Sequence, residues 1–170
     1  MFQPVRFGAR PSFALVLVVC FALPGCQQPM QSNMGTRSGN IGTQSGPGTQ
    51  MEAASVKNLK QLQMGIAMYT QDWDSVLPNL QTASAAQNCL NVYIKSPLIF
   101  VTPDTNQPYL PNATLSGKKL ASIPNPNSTV LFYEPEPMSD DTRAVAYVDG
   151  HVLRIPEADW KKLKAAQKIP

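Results

Sequence analysis

Between Met51 and Trp73, apolar side chains recur at Val56, Leu59, Leu62, Ile66, Tyr69 and Trp73. The steps of three and four residues trace one face of an α-helix. Lys57, Lys60, Gln61 and Gln71 fall mostly elsewhere. Thr49 and Glu52 have capping-box spacing at the start of this pattern. Asp74 and Ser75 close it ahead of Pro78, whose ring disfavours a helical residue before it. A helix of this extent is ~35 Å long. A one-sided apolar stripe of that length must be covered, so the rest of the chain has to supply a surface for it.

That surface is legible near the C-terminus. Ser128 to Tyr133 and Arg143 to Val148 are β-rich runs, and Asp149-Gly150 favours a two-residue turn back into His151 to Ile155. Such a turn pairs Val148 with His151, Ala146 with Leu153 and Ala144 with Ile155. One face then carries Ala144, Ala146, Leu153 and Ile155 with His151 at its end, and the other carries Val145, Tyr147, Val152 and Arg154. Pro156 suits the first turn of a final helix reaching about Lys168. Glu157 and Asp159 near its start and the lysines near its end complement the helix dipole. The middle, Asn79 to Asn127, is broken by Pro97, Pro103, Pro108, Pro111, Pro124 and Pro126. Interleaved apolar residues make it an ordered wrap, with Cys89 to Tyr93 a short helix or extended segment and Leu120 to Ile123 one helical turn.

The N-terminus reads differently. Arg6 and Arg10 precede an apolar run, Phe13 to Leu23, and then Pro24, Gly25 and Cys26. This is the order of a secretory signal. The run would cover only ~16 Å as a helix, short of a ~30 Å bilayer core. Leu23-Pro24-Gly25-Cys26 resembles a bacterial lipobox, although Pro24 is unusual in it. The resemblance implies cleavage before Cys26, acylation of Cys26 and anchorage to a membrane of the cell envelope. Gln27 after the cysteine is compatible with outer-membrane sorting. The Gly-, Ser-, Gln- and Thr-rich stretch that follows cannot bury enough apolar surface to order itself. As a coil its ends would lie ~25–30 Å apart. The expected organisation is a signal over 1–25, a tether over 26–48 and a globular domain over 49–170.

Of the 3 cysteines, Cys20 leaves with the signal and Cys26 is the lipidation site, so Cys89 has no intramolecular partner. A Cys26–Cys89 bridge becomes an alternative only if Cys26 is not acylated. The chain has 14 basic and 11 acidic residues, a net +3. Without Arg6 and Arg10 the balance is 12 against 11, a net +1. That near-neutrality argues against nucleic acid as a partner.

Two stretches carry a further resemblance. Ala54 to Asn79, ASVKNLKQLQMGIAMYTQDWDSVLPN, is similar to the helix of pseudopilins of the type IV pilin and type II secretion superfamily. It looks closest to a bacterial group with an Asn-Leu-Lys-Gln helix ending in an acidic turn and Leu-Pro. Asp149-Gly150-His151-Val152 resembles the C-terminal DGHV signature of that group. SPLIFVTPDT is similar to its Ile-Phe-x-Cys-Pro element, with Thr102 where the cysteine often stands. LSGKKLASIPNPNSTVLFYE matches the segment leading into a strand that ends in an acid, here Glu134. The resemblance implies an α+β, pilin-like fold: one long N-terminal helix on a small antiparallel sheet, with a short C-terminal helix. Pseudopilins begin with a prepilin leader and about twenty apolar residues, whereas here the signal, anchor and tether precede the domain. Self-assembly into a filament by the usual route is therefore not expected. Pseudopilins or secretion-system proteins are the expected partners, alongside the membrane.

Candidate chemistry is sparse. Glu134, Glu136, Asp140 and Asp141 cluster in EPEPMSDD and form a low-specificity calcium candidate, set against a plain solvated acidic loop. Some pseudopilins hold Ca²⁺ near their C-terminal loop. Asp149, Gly150 and His151 are read as a structural turn, with His151 hydrogen-bonding Asp149 or capping the sheet edge. A lone His without a partner Ser or Cys motif gives no triad. Met64 and Met68 share a helical face and are a candidate partner surface. The expected protein is a non-enzymatic, lipid-anchored envelope protein that binds or assembles. The alternative is a small exported metal-dependent or ligand-binding module using the acidic loop and His151.

Overall fold

The computed structural model describes residues 47–170. Cys26, the signal and nearly all of the tether lie outside the described residues. Helix α1 spans Pro47–Asp72. A short helix α2 follows at Ala83–Leu90. The sheet comprises β1 (Leu110–Pro111), β2 (Val130–Tyr133), β3 (Thr142–Tyr147) and β4 (Val152–Pro156). Helix α3, Glu157–Ala166, ends the domain. The four strands lie in sequence order and every pairing is antiparallel. The α+β architecture is therefore the expected one: a long helix, a small antiparallel sheet and a short C-terminal helix.

Helix α1 begins at Pro47, so Thr49 and Glu52 lie within the helix rather than forming a cap that opens it. Proline at the first helical position loses no intrahelical bond and carries a helical φ already. The other end closes as expected. Asp74 and Ser75 take left-handed φ of 48° and 60°, and the Ser75 N–H donates to the Thr70 carbonyl at 2.8 Å. The predicted stripe is buried at Leu59, Leu62 and Ile66. Each such side chain contributes ~1.5–3 kcal/mol by leaving water.

The β3–β4 hairpin differs from the expected one by one residue. Ala146 pairs with Val152, Val145 with Leu153 and Ala144 with Arg154. The turn has three residues, not two: Gly150 stands at φ 97° and the Tyr147 N–H donates to the His151 carbonyl at 2.9 Å. A left-handed glycine at the third position is the bulged form of hairpin closure. A one-residue slip exchanges the two faces of the returning strand. Val152 and Arg154 therefore share a face with Ala144 and Ala146, and Leu153 and Ile155 lie with Val145.

The sheet is covered on both sides. Ala144, Ala146 and Phe132 pack into one cluster with Leu59, Leu62 and Ile66 of α1. Val130, Tyr133, Val145 and Tyr147 form a second cluster with Trp160 of α3 and Ile169. Tyr133 and Trp160 meet with ring centroids 4.6 Å apart. The Arg143 guanidinium lies 5.3 Å from the Trp160 ring centre, a cation–π contact. Arg143 also forks onto Glu157 at 3.0 and 3.2 Å, fixing the start of α3.

The wrap between α1 and β2 holds more regular structure than expected. The Thr82 hydroxyl caps α2 by accepting from the Ala85 N–H at 3.1 Å. Leu120–Ser122 is one 3₁₀ turn, close to the expected helical turn. Among the described residues no helix is long and apolar enough to cross a membrane.

Candidate functional site

Residues of opposite character occupy the two sides of α1. On the inner side, Ser55 is fully buried. Its hydroxyl donates to Glu134 Oε1 and lies 2.8 Å from the Tyr109 hydroxyl. With the Ser55 O–H directed at the carboxylate, Tyr109 is the donor in that second bond. The other oxygen of Glu134 accepts the Ala144 N–H at 2.7 Å and lies 3.7 Å from the Arg154 guanidinium. Arg143 donates to the Glu134 backbone carbonyl. One carboxylate thus joins α1, β2, β3 and β4.

Burial raises the Glu134 carboxyl above its ordinary value of 4.5; the bonds from Ala144 and Ser55 and the charge of Arg154 oppose that rise. Burial also raises the Tyr109 hydroxyl strongly. Glu134 and Tyr109 expose 1% and 2% of their surface, so solvent and any substrate are kept from this relay. Its chemistry is that of a clamp, holding α1 in one position along the sheet.

Of the remaining acidic-loop residues only Asp140 is linked to Glu134, through the shared Arg154 guanidinium. Asp140 accepts the Thr142 N–H at 3.1 Å and the Thr142 hydroxyl at 2.7 Å, and Arg154 reaches it at 3.3 Å. The Thr142 hydroxyl bond is the main cause that holds the Asp140 carboxyl below its ordinary range. Glu136 and Asp141 are exposed. Among the described residues no group of three or more His, Cys, Asp or Glu side chains is spaced to hold a metal ion.

The hairpin turn has the predicted local bond. Asp149 Oδ1 accepts the His151 N–H at 3.2 Å and lies 2.5 Å from His151 Nδ1. The His151 ring stacks on Tyr147 at 4.3 Å. Burial pushes the Asp149 carboxyl upward, but the bonds from His151 prevail and hold it below its ordinary range. This arrangement stiffens the tip. A cleft of about 330 Å³ beside it is lined by Gln63, Thr70, Gln71 and Val148 among others. Gln63 is already committed, donating to the Tyr147 carbonyl at 2.7 Å.

The outer side of α1 carries exposed apolar groups. Met64 and Met68 are 65% and 50% exposed. They line a groove of about 320 Å³ with Gln61, Tyr93, Lys95 and Ile99. Tyr93 also borders a neighbouring hollow with Tyr69, Trp73, Val92 and Cys89. Ile99 borders a third with Leu98. Trp73, Val92 and Leu98 are each more than half exposed, so exposed apolar groups recur along these three adjoining hollows. Contiguous apolar surface on a soluble face marks a docking site more often than scattered apolar residues do. Gly65 lies beneath Ile94: a Cβ there would lie 2.6 Å from Ile94 Cδ1 and 2.9 Å from its Cγ1, so a larger residue would force the Ile94 side chain to shift. Cys89 is a free, half-buried thiol in the wall of the second hollow.

The methionine face was readable from helical spacing. The clamp was not, because Ser55 sits in the inner stripe as a polar exception and Glu134 belonged by sequence to the acidic loop. The fold and these sites define an α+β domain with a closed polar centre and an open apolar face on the outer side of α1. No protein-family model matches this chain, and no curated protein or solved structure matches it.

Proposed function

We propose that this is a non-enzymatic, lipid-anchored protein of the cell envelope whose pseudopilin-like head binds protein through the outer face of α1. The observation that carries the proposal is the set of exposed apolar side chains, Trp73, Met68, Met64 and Leu98, bordering adjoining hollows that share Tyr93 and Ile99. The lipobox-like Leu23-Pro24-Gly25-Cys26 supports the anchor. The helix and DGHV segments support the pseudopilin-like head, and the helix-on-sheet architecture agrees with it.

Two measurements test this reading. Cys26→Ser is expected to abolish acyl labelling and release the protein from membrane fractions; unchanged labelling and fractionation remove the anchor. A photocrosslinker at Met64 in the full chain is expected to capture protein in envelope preparations. Capture from an exposed control position on α3 alone, with none from Met64, removes the docking face.

A further inference from the structure

The outer face of α1 is complementary to itself in the antiparallel sense, and we infer that its occupant is a second copy of this chain. The inference rests on reading this face as a docking surface and names what docks. Lys60, Gln61, Met64, Met68, Gln71 and Asp72 all lie within about one third of the helix circumference at 100° per residue. They form a palindrome of chemistry. An antiparallel copy crossing α1 along the i, i+4 row Lys60-Met64-Met68-Asp72, related by a two-fold axis between the helices at the level of residue 66, sets Met64 against the second copy's Met68 and Lys60 against its Asp72. The same operation repeats each contact, as an isologous interface requires. Methionine suits the centre because its flexible thioether adapts to a facing surface. The paired stretch is ~18 Å long, three turns of helix.

The side chains are available for these contacts. Lys60, Met64, Met68, Gln71 and Asp72 are exposed and Gln61 is half-buried. Among the described residues the Lys60 ammonium has no acidic partner within 4.0 Å. Asp72 accepts the Tyr93 hydroxyl on Oδ2 at 2.8 Å, which leaves Oδ1 for a lysine. A parallel arrangement would instead set lysine beside lysine and aspartate beside aspartate. An acidic or a basic partner alone would match one end of the face and be repelled at the other. Only a partner with the charges reversed along its length satisfies both ends, and an antiparallel copy has them.

Charge reversal tests the pairing in the full chain, by sedimentation equilibrium in density-matched detergent. The wild type is expected to show a concentration-dependent monomer–dimer equilibrium. Lys60→Glu and Asp72→Lys, each alone, place like charges at both ends and are expected to weaken self-association at least ~10-fold. Mixing the two variants restores opposite charges at both ends of a heterodimer, so the mixture is expected to associate to within ~3-fold of the wild type. Recovery on mixing also shows that each variant is folded. A wild type that stays monomeric throughout, or variants that associate unchanged, overturns the antiparallel pairing. Capture of a different protein at Met64 in envelopes, with a monomeric wild type, overturns this inference and leaves the docking reading in place.

Discussion

Helix α1 buries a serine on one side and exposes two methionines on the other, three positions that depart from the usual sorting of side chains by polarity. Ser55 has no exposed surface, while Met64 is 65% exposed. The contrast separates two tasks. The inner polar group joins α1 to the sheet through Glu134, with directional bonds that fix one position of the helix. The outer apolar groups leave the fold itself little to gain and present surface to a partner. Substitutions on the two sides should therefore register in different measurements.

The largest effect is expected at Glu134. Glu134→Ala strands the Ala144 N–H and the Ser55 hydroxyl and takes a carboxylate from Arg154. A loss of ~3 kcal/mol in chemical unfolding is expected, in line with breaking a buried pair. A loss below ~0.5 kcal/mol would demote the clamp to a bystander. Ser55→Ala leaves Tyr109 and one oxygen of Glu134 each short of a partner, and ~1–3 kcal/mol should be lost.

The pH dependence sharpens the same point. The Glu134 carboxyl is raised in the fold above 4.5, so its contribution is fully present below that value and is lost as pH rises through the folded value. Glu134→Gln cannot ionise. Its stability relative to wild type should therefore improve as pH rises above 4.5 and then level off. Asp140, held low, acts in the opposite sense, and its contribution is lost as pH falls below 3.8. A constant gap between Glu134→Gln and wild type from pH 4 to 8 would mean that Glu134 titrates alike in both states. The smallest effect on folding is expected outside: Met64→Ser or Met68→Ser should change unfolding free energy by less than ~0.5 kcal/mol. The same variants should reduce self-association, and a large loss of stability would place these methionines in the core instead.

Much of this was legible in the sequence because it rests on periodicity. The stripe from Val56 to Ile66 defined α1, and the runs around Leu131, Ala146 and Leu153 defined three strands. Hairpin register was not legible, because Asp149-Gly150 serves both a two-residue turn and a three-residue turn with Gly150 left-handed. The choice between them decides which face Arg154 joins, and hence whether it reaches Glu134. The short helix or extended segment expected at Cys89 to Tyr93 overlaps only the last two residues of α2, because Ala83 to Leu90 is short and its start is marked by one capping threonine, Thr82. Glu134 looked like a loop acid because its partners, Ser55 and Arg154, are 79 and 20 residues away in the chain. Contacts of that kind leave no local pattern.

The central claim, that the outer face of α1 meets the same face of a second copy, is tested most directly by mixed-cysteine crosslinking. Met64→Cys and Met68→Cys chains, differing in a size tag and both carrying Cys89→Ser, are mixed and mildly oxidised. Antiparallel pairing about residue 66 brings position 64 of one copy against position 68 of the other. Residues 64 and 64 stay ~6 Å further apart along the axis. The predicted result is a disulfide between the two variants that forms faster than in either variant alone. Equal rates in all three samples, or no crosslink in the mixture, would contradict it.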